Sequence, residues 1–323
     1  MLSVICPVFD TEASLLSNAV ASVLREAEAA AIPVELILVD DGSSRPDTLQ
    51  RLAGLEASDA RLRVLRPGRN AGPAMARNLG IQAARGDWIG FLDADDLWLP
   101  GGLAATHSLM GRLDVEWILG RHVLLLPSGP VPAPSLTEAM GARPACILQG
   151  EALTRGLIGN SWVHLGALLV RRELALRAGG FAEGLYYSED VLFAIRLSRL
   201  TPLHVVDADL YAWRRAGGGL TGSPMRLTGR WLEIWRAAGA DPLLRGFARE
   251  IRWARYGALK GLAKNNLLDG RRAAALGFAL RAFLLDPREV RDLARFLALW
   301  PAGGRAHASH YSKAEPFITR GQP

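Results

Sequence analysis

Apolar runs typical of buried strands alternate with helical patterns in the first part of this chain. The runs comprise residues 2–8, 36–39, 62–65 and 88–92. Apolar residues at helical spacing follow the first run, as at Leu16, Val20 and Val23. This alternation predicts a mostly parallel sheet that is covered by helices on both faces. Ligands of such sheets bind beyond the carboxyl ends of the strands, so we expect the residues that follow the runs to meet at one edge.

Acidic residues follow three of these runs, and the last set is the densest. It consists of Asp93, Asp95 and Asp96. Mg²⁺ and Mn²⁺ prefer oxygen ligands and are often bound by one or two carboxylates together with substrate phosphates. The Asp-x-Asp pattern therefore predicts a metal–diphosphate site. The alternative is a solvated acidic turn in which Asp93 or Asp95 caps the next helix.

Composition narrows the class of protein. Half of the 323 residues are hydrophobic and 22% are charged, which is typical of a globular chain. Cys6 and Cys146 give neither a disulfide framework nor a metal-binding spacing, which fits a reducing cytosol. No signal-peptide pattern opens the chain, and charged residues interrupt the apolar runs before the ~18–20 residues that a membrane span needs. We therefore expect a cytoplasmic location.

The net charge of +6 favours anionic partners such as nucleotide phosphates or acidic lipids. We find no nucleic-acid-binding module and expect no nucleic-acid partner. After about residue 225 only helical patterns occur, with Leu227, Trp231 and Trp235 on one apolar stripe. This arginine-rich helical region could lie on the inner face of a membrane as a peripheral contact, pack on the first domain, or form a homodimer.

Five segments occur in the order and spacing typical of family 2 glycosyltransferases. They are Val4-Ile5-Cys6-Pro7-Val8-Phe9-Asp10, Leu38-Val39-Asp40-Asp41-Gly42-Ser43, residues 70–80, residues 91–96, and Gly179-Gly180-Phe181 followed by Ser188-Glu189-Asp190. The chain resembles this family over residues 1–222. The resemblance implies a GT-A domain of the α/β class over 1–222, followed by a helical region over 223–301, and we expect a flexible tail over 302–323.

The resemblance also implies an activity. It is the metal-dependent, inverting transfer of one sugar from a nucleotide-sugar, usually a UDP-sugar, to a saccharide or glycoconjugate acceptor, with Mn²⁺ or Mg²⁺ as the cofactor. The Gln-x-x-Arg-Trp motif of polymerising relatives does not occur in this sequence. We therefore expect a single-addition enzyme of surface polysaccharide or glycoconjugate synthesis rather than a processive synthase.

On the donor side, the resemblance implies that Asp41 hydrogen-bonds the edge of the nucleobase and that Phe9 packs against the base. The alternative for Phe9 is an ordinary core residue. Pro7 and Asp10 flank Phe9 in the same donor-binding segment, and Asp10 departs from a common asparagine.

The resemblance implies a different role for each residue of the acidic segment 93–96. Asp93 is expected near the ribose or the metal shell, with Ala94 beside it in the donor site. Asp95 matches the metal ligand, and Asp96 is expected to cap the following turn. Arg77 could contact the diphosphate or hold Asp41 or Asp93 in place, and we favour the holding role.

On the acceptor side, Asp190 matches the catalytic base, which removes the proton of the acceptor hydroxyl. The alternative is that Ser188, Glu189 and Asp190 only cap a helix. Glu189, together with Trp162 and His164, falls in the segments that line the acceptor side in the family.

A loop after residue 213 resembles the family's donor-covering loop. Many relatives carry a histidine near Ala216, which this chain lacks, and Arg214 or Arg215 could replace its contact with metal or phosphate.

Two other functions are open at this stage. A nucleotidyltransferase also uses acidic metal ligands, but it usually has a glycine-rich, basic phosphate loop after the first strand, where this chain has Phe9 and Asp10. The other is a non-catalytic module that binds a sugar nucleotide.

Overall fold

The computed structural model describes residues 1–68, 70–159, 163–185, 188–214 and 224–287, with the backbone alone for 224–228. The described chain divides into two compact units. The first contains residues 1–157 and 163–214, and the second contains residues 224–287 together with Ile158 and Gly159.

The first unit is built on a mixed β-sheet with helices around it. Within the described residues its ten strands are β1 (Leu2–Val8), β2 (Val34–Asp40), β3 (Leu62–Leu65), β4 (Trp88–Phe91), β5 (Leu97–Trp98), β6 (Trp117–Leu126), β7 (Gly129–Pro132), β8 (Cys146–Leu148), β9 (Leu168–Arg171) and β10 (Leu203–Arg214). Its helices are α1 (Ala13–Ala29), α2 (Pro46–Ser58), α3 (Pro73–Ala83), α4 (Gly102–Met110), α5 (Leu136–Ala139), α6 (Gly150–Gly159), α7 (Arg172–Arg177) and α8 (Glu189–Ser198).

The strand order is β3-β2-β1-β4-β9-β6-β10-β5, with β7 paired to β6 and β8 paired to β10. The four strands β3, β2, β1 and β4 are parallel, as predicted. Beyond β4 the sheet is mixed: β9 pairs antiparallel with β4 and β6, whereas β6 and β10 are parallel. The sequence-based prediction of an α/β fold with a mostly parallel sheet is confirmed.

The parallel half of the sheet forms the centre of the core. All residues of β2 and nearly all of β1 are buried, because helices cover both faces of these strands. Helix α3 approaches β1 so closely that a Cβ on Gly80 would lie 2.4 Å from Cγ2 of Ile5. This contact holds α3, which carries Arg77, against β1.

A cluster of three phenylalanines anchors α8 to the same region. The rings of Phe181 and Phe193 stack at 4.4 Å, and Phe91 meets Phe181 edge-on at 5.4 Å. Phe91 ends β4 and Phe193 lies in α8, so the cluster brings the start of α8 towards the end of β4. Such buried aromatic contacts contribute through area and through ring geometry.

The second unit is helical. It consists of α9 (Pro224–Ala240), a 3₁₀ segment at Pro242–Phe247, α10 (Ala248–Leu268) and α11 (Arg272–Leu285). The helical character predicted after residue 225 is confirmed for the described part. Trp231 and Trp235 stack at 5.9 Å on one side of α9, as their spacing indicates. The predicted tail at 302–323 lies outside the described residues. Among the helices that the structure describes, none is long and apolar enough to span a bilayer.

Candidate active site

The ends of β1, β2 and β4 lie side by side, as the parallel topology predicts. The turns after β1 and β2 are joined by Asp10, whose carboxylate accepts hydrogen bonds from the backbone N–H groups of Ser44 (2.6 Å) and Arg45 (2.8 Å). The Asp10 N–H in turn donates to the hydroxyl of Ser43 at 3.1 Å. These contacts lower the pKa of Asp10 and give the residue a structural task; its predicted contact with the donor stays a prediction.

Phe9 is exposed at this edge, with 53% of its surface open to solvent. The alternative of a core phenylalanine is therefore wrong. An exposed ring beside a ligand-binding edge is available for stacking on a nucleobase. Pro7, two residues earlier, lies within β1 and is half-buried.

Asp41 holds the loop that precedes α3. Its two carboxylate oxygens accept hydrogen bonds from the N–H groups of Ala71 (2.7 Å) and Gly72 (2.8 Å). Gly72 has a φ of +87°, which is a conformation that favours glycine. Each carboxylate oxygen can accept a second hydrogen bond, so the predicted contact with a base stays a prediction.

Arg77 joins the carboxylate of Asp93 to Glu189 at the start of α8. Its Nη2 lies 2.7 Å from Oδ1 of Asp93, and its Nη1 contacts Oε1 of Glu189. The guanidinium is buried and lies 5.6 Å from the centroid of the Phe181 ring. Of the two partners expected for the holding role, the structure shows Asp93 and not Asp41. The contact with Glu189 is not evident from the sequence.

Asp190 is the second residue of α8 and follows Glu189 directly. Burial and the neighbouring charge of Glu189 raise the pKa of Asp190 to about 7, while the Arg77 cation opposes the rise. The Ser188 side chain makes no capping hydrogen bond to α8, so the capping alternative does not account for Ser188. A carboxyl group with a pKa near 7 has the properties of a general base at neutral pH.

Three acidic side chains follow β4, and they differ in exposure. Asp93 is partly exposed, Asp95 is exposed, and Asp96 is only 1% exposed. The pKa of Asp95 is raised by partial desolvation and by the charge of Asp93. Ala94 between them is buried.

The prediction that Asp96 caps the following turn is wrong. Its carboxylate instead accepts hydrogen bonds from the hydroxyl of Tyr211 (2.7 Å) and from the backbone N–H of Arg214 (2.6 Å). Both partners belong to β10, which supplies better-placed donors than the turn itself. Burial and the charges of Asp93 and Asp95 raise the pKa of Asp96 to about 8, whereas the two donors favour its ionised form.

His164 belongs to an aromatic group that also contains His122, Tyr211 and Trp213. Its ring lies 4.8, 4.7 and 5.4 Å from the rings of these three residues, respectively. Burial lowers the pKa of His164 to about 3, so the ring is neutral, and its Nδ1 accepts a hydrogen bond from the N–H of Gly166. Of the other predicted acceptor-side and loop residues, Trp162 and Arg215 lie outside the described residues.

The described residues contain no group of three or more His, Cys, Asp or Glu side chains arranged to hold a metal ion. A single metal ligand with room for phosphate oxygens is nonetheless compatible with the site. Asp95 offers an exposed carboxylate, whose pKa is raised by desolvation and by the neighbouring charge of Asp93. A divalent cation bound by Asp95 and by ligand oxygens fits this chemistry.

Sequence comparison assigns the chain to a family. A model of the glycosyl transferase family 2 matches residues 3–123, which include Asp41, Arg77, Asp93 and Asp95 but not Asp190. The glycosyltransferase EpsJ of Bacillus subtilis, itself uncharacterized, is 40% identical over 283 residues, or 83% of this chain and 73% of EpsJ. The chain therefore belongs to glycosyltransferase family 2.

Other relatives are known by their biosynthetic roles. The succinoglycan biosynthesis protein ExoU of Rhizobium meliloti is 31% identical over 71% of this chain, which spans 65% of ExoU. The O-antigen biosynthesis protein RfbC of Myxococcus xanthus is 28% identical over 77% of this chain, which spans only 18% of RfbC.

Among solved structures, S. aureus TarS 1–349 in complex with UDP-GlcNAc superposes with a TM-score of 0.63. The two chains are 18% identical, and the match covers 93% of this chain and 90% of TarS 1–349. This similarity shows that the two proteins share a fold.

Proposed function

We propose that this chain transfers one sugar from a UDP-sugar to a hydroxyl group of a saccharide or glycoconjugate acceptor in polysaccharide or glycoconjugate synthesis. The observation that carries the proposal is the Arg77 guanidinium, which joins Asp93 on the donor side to Glu189, the neighbour of Asp190. One buried cation thereby brings the donor carboxylate and the candidate base into one site. The names of the relatives ExoU and RfbC, and the UDP-GlcNAc complex of TarS, support the class of donor and product.

The donor would bind at the shared edge of β1, β2 and β4. Phe9 offers an exposed ring for the nucleobase. Asp41 has free acceptor capacity for an N–H of uracil, and Asp93 would contact the ribose. In this arrangement the diphosphate would lie near Asp95 and Arg214. The Nε of Arg214 donates to the backbone oxygen of Asp95 at 2.9 Å, which supports the proposal that the two residues act together.

A Mn²⁺ or Mg²⁺ ion held by Asp95 and the donor phosphates would neutralise the diphosphate leaving group. The role of the protein around it is to keep the Asp95 carboxylate exposed and to supply positive charge nearby. Arg77 balances Asp93, and Arg214 contributes a favourable charge to Asp95.

Asp190 would accept the proton of the acceptor hydroxyl as that oxygen attacks the anomeric carbon. The new bond forms between the acceptor oxygen and the anomeric carbon, and the bond from that carbon to the UDP oxygen breaks. Attack from the side opposite the nucleotide inverts the anomeric configuration. General base catalysis of this kind contributes about 10²–10⁴-fold to a rate.

A thermal-shift screen tests the donor and the metal together. UDP, GDP, dTDP and CMP are each added with and without Mn²⁺, because a ligand that binds the native state raises the melting temperature. We expect a shift with UDP that is larger when Mn²⁺ is present. A shift with another nucleotide alone would contradict the UDP donor, and equal shifts with and without Mn²⁺ would contradict the metal.

A further inference from the structure

The Tyr211 hydroxyl joins β10 to the acidic turn after β4. It accepts a hydrogen bond from the backbone N–H of Asp93 (3.1 Å) and donates one to Oδ2 of Asp96 (2.7 Å). Oδ1 of Asp96 accepts a second hydrogen bond from β10, from the N–H of Arg214 at 2.6 Å. The Tyr211 hydroxyl and the Asp96 carboxylate therefore connect β10 to the turn after β4 by three hydrogen bonds.

The ring of Tyr211 is fixed where its hydroxyl can make these contacts. Tyr211 is completely buried, and the ring of His164 lies 4.7 Å from it. A Cβ on Gly166 would lie only 2.0 Å from the Tyr211 ring, so the ring fits only because residue 166 is glycine. In a close-packed interior such a ring has little freedom to move.

Asp96 differs from Asp93 and Asp95 in burial. Its carboxylate is buried and directed to β10, whereas Asp93 and Asp95 are open to solvent. Arg214 adds a further link through its Nε, which donates to the backbone oxygen of Asp95. The end of β10 thus holds the main chain at Asp93 and Asp95, while the Asp93 carboxylate pairs with Arg77 and the Asp95 carboxylate is exposed.

We propose that Tyr211 and Asp96 are positioning residues of the sugar transfer, because their hydrogen bond fixes the main chain that carries the Asp93 and Asp95 carboxylates. The inference rests on the proposed function. It matters because displacing a bound group by about 1 Å can cost on the order of 10²-fold in rate.

Tyr211→Phe and Asp96→Asn test this role, singly and combined. Tyr211→Phe keeps the ring and removes only the hydroxyl, and Asp96→Asn keeps the size of the side chain. Tyr256→Phe is the matched control, because it also removes the hydroxyl of a buried tyrosine. Tyr256 lies in α10 of the second unit, whereas Tyr211 lies in the first unit. The measurements are kcat and KM for UDP-sugar turnover, the melting temperature, and hydrogen–deuterium exchange of the amides of residues 93–96.

We expect kcat/KM to fall by about 10-fold or more in each single variant, with the control within about 2-fold. Residues that act as a unit give non-additive effects. The kcat/KM of the double variant should therefore be no more than about 2-fold below that of the less active single variant. Faster exchange of the 93–96 amides is expected in Tyr211→Phe. A merely structural role would lower the melting temperature and leave kcat of the folded protein unchanged.

Wild-type kcat/KM in the single variants, or losses that multiply in the double variant, would overturn the inference. Unchanged exchange at residues 93–96 would also overturn it, whatever the wild-type protein does with UDP-sugars. If exchange becomes faster but the wild-type protein turns over no UDP-sugar, the proposed function fails, and the role in transfer fails with it, while the structural contact stands.

Discussion

The guanidinium of Arg77 pairs with the carboxylate of Glu189, which lies 112 residues further along the chain. Both side chains are only 7% exposed. The pair connects α3, which follows the loop held by Asp41, to α8, which carries Asp190. Because Arg77 also binds Asp93, the start of α8, next to the candidate base Asp190, depends on the same cation as the Asp93 carboxylate.

Replacing Arg77 by glutamine should destabilise the protein substantially. Removing one partner of a buried ion pair leaves the other charge uncompensated, which costs about 3–5 kcal/mol. Arg77→Lys keeps the charge and should lose less, although lysine cannot bind two carboxylates in the forked manner of arginine. Urea unfolding followed by tryptophan fluorescence measures the difference.

The control for this prediction is Arg112→Gln, since Arg112 pairs with Asp114 on the surface. Exposed pairs of this kind contribute little. Equal stability of Arg77→Gln and the wild-type protein would contradict the importance of the buried pair.

Asp190→Asn should remove turnover and preserve donor binding. The amide has nearly the shape of the carboxyl group but cannot accept the proton, so kcat should fall by about 10²–10⁴-fold. Calorimetric titration with UDP should give a dissociation constant close to that of the wild-type protein. Asp269→Asn, in the second unit, serves as the control. Retention of more than about half of the wild-type kcat would rule out Asp190 as the base.

The activity should rise with pH, because Asp190 must be ionised to accept a proton. The pKa of Asp190 in the free protein is raised from 3.8 to about 7, so kcat/KM should increase through a midpoint near pH 7. The same shift means that folding favours the protonated form, and the stability contributed by this group is lost as pH rises from about 4 to 7.

Arg77 opposes the rise in the Asp190 pKa. In Arg77→Gln protein that has folded, the pKa of Asp190 should therefore be higher, and the acid limb of the pH–rate profile should be displaced to higher pH. A pH–rate profile of the two proteins decides this, and identical midpoints would contradict the coupling of Arg77 to Asp190.

Phe9→Ala should weaken nucleotide binding without destabilising the protein. The Phe9 side chain is 53% exposed, so its removal leaves no cavity in the core. Stacking of a base on an aromatic ring contributes about 1–3 kcal/mol, so UDP affinity should fall by roughly 5- to 150-fold. Phe9→Tyr should keep most of the affinity.

Leu113→Ala is a matched removal of an exposed apolar side chain, because Leu113 is 93% exposed. It should leave UDP affinity unchanged. If Phe9→Ala also bound UDP with wild-type affinity, the base would have to lie elsewhere.

The sequence predicted the parts of the site that depend on short segments. The apolar runs and the acidic residues after them correctly placed Asp41 and Asp93 at the same edge of the sheet, at the ends of β2 and β4 on either side of β1. Parallel topology alone brings such strand ends together, so no knowledge of side-chain contacts was needed.

The contacts between distant segments could not be predicted in this way. The cap assigned to Asp96 follows a local preference, but its partners Tyr211 and Arg214 lie 115 and 118 residues away. A local preference is weak against two well-placed donors in a buried environment. The pairing of Arg77 with Glu189 was missed for the same reason, since either residue had other partners of opposite charge in the sequence.

The last strand shows a similar limit. The sequence indicated two short strands near 204–206 and 211–214, whereas the structure has a single strand, β10, over Leu203–Arg214. Register shifts between Val205 and Tyr211 interrupt its pairing with β6. Such an irregularity breaks the alternation of polar and apolar residues on which strand prediction depends.

The release of UDP from a panel of UDP-sugars in the presence of Mn²⁺ tests the central claim most directly. Wild-type protein and Asp190→Asn are compared, each with and without added saccharide acceptors. We predict that the wild-type protein releases UDP from at least one UDP-sugar, faster with an acceptor, and that Asp190→Asn does so at least about 100-fold more slowly. Equal rates for the two proteins, or no release from any UDP-sugar by protein that binds UDP, would contradict the account.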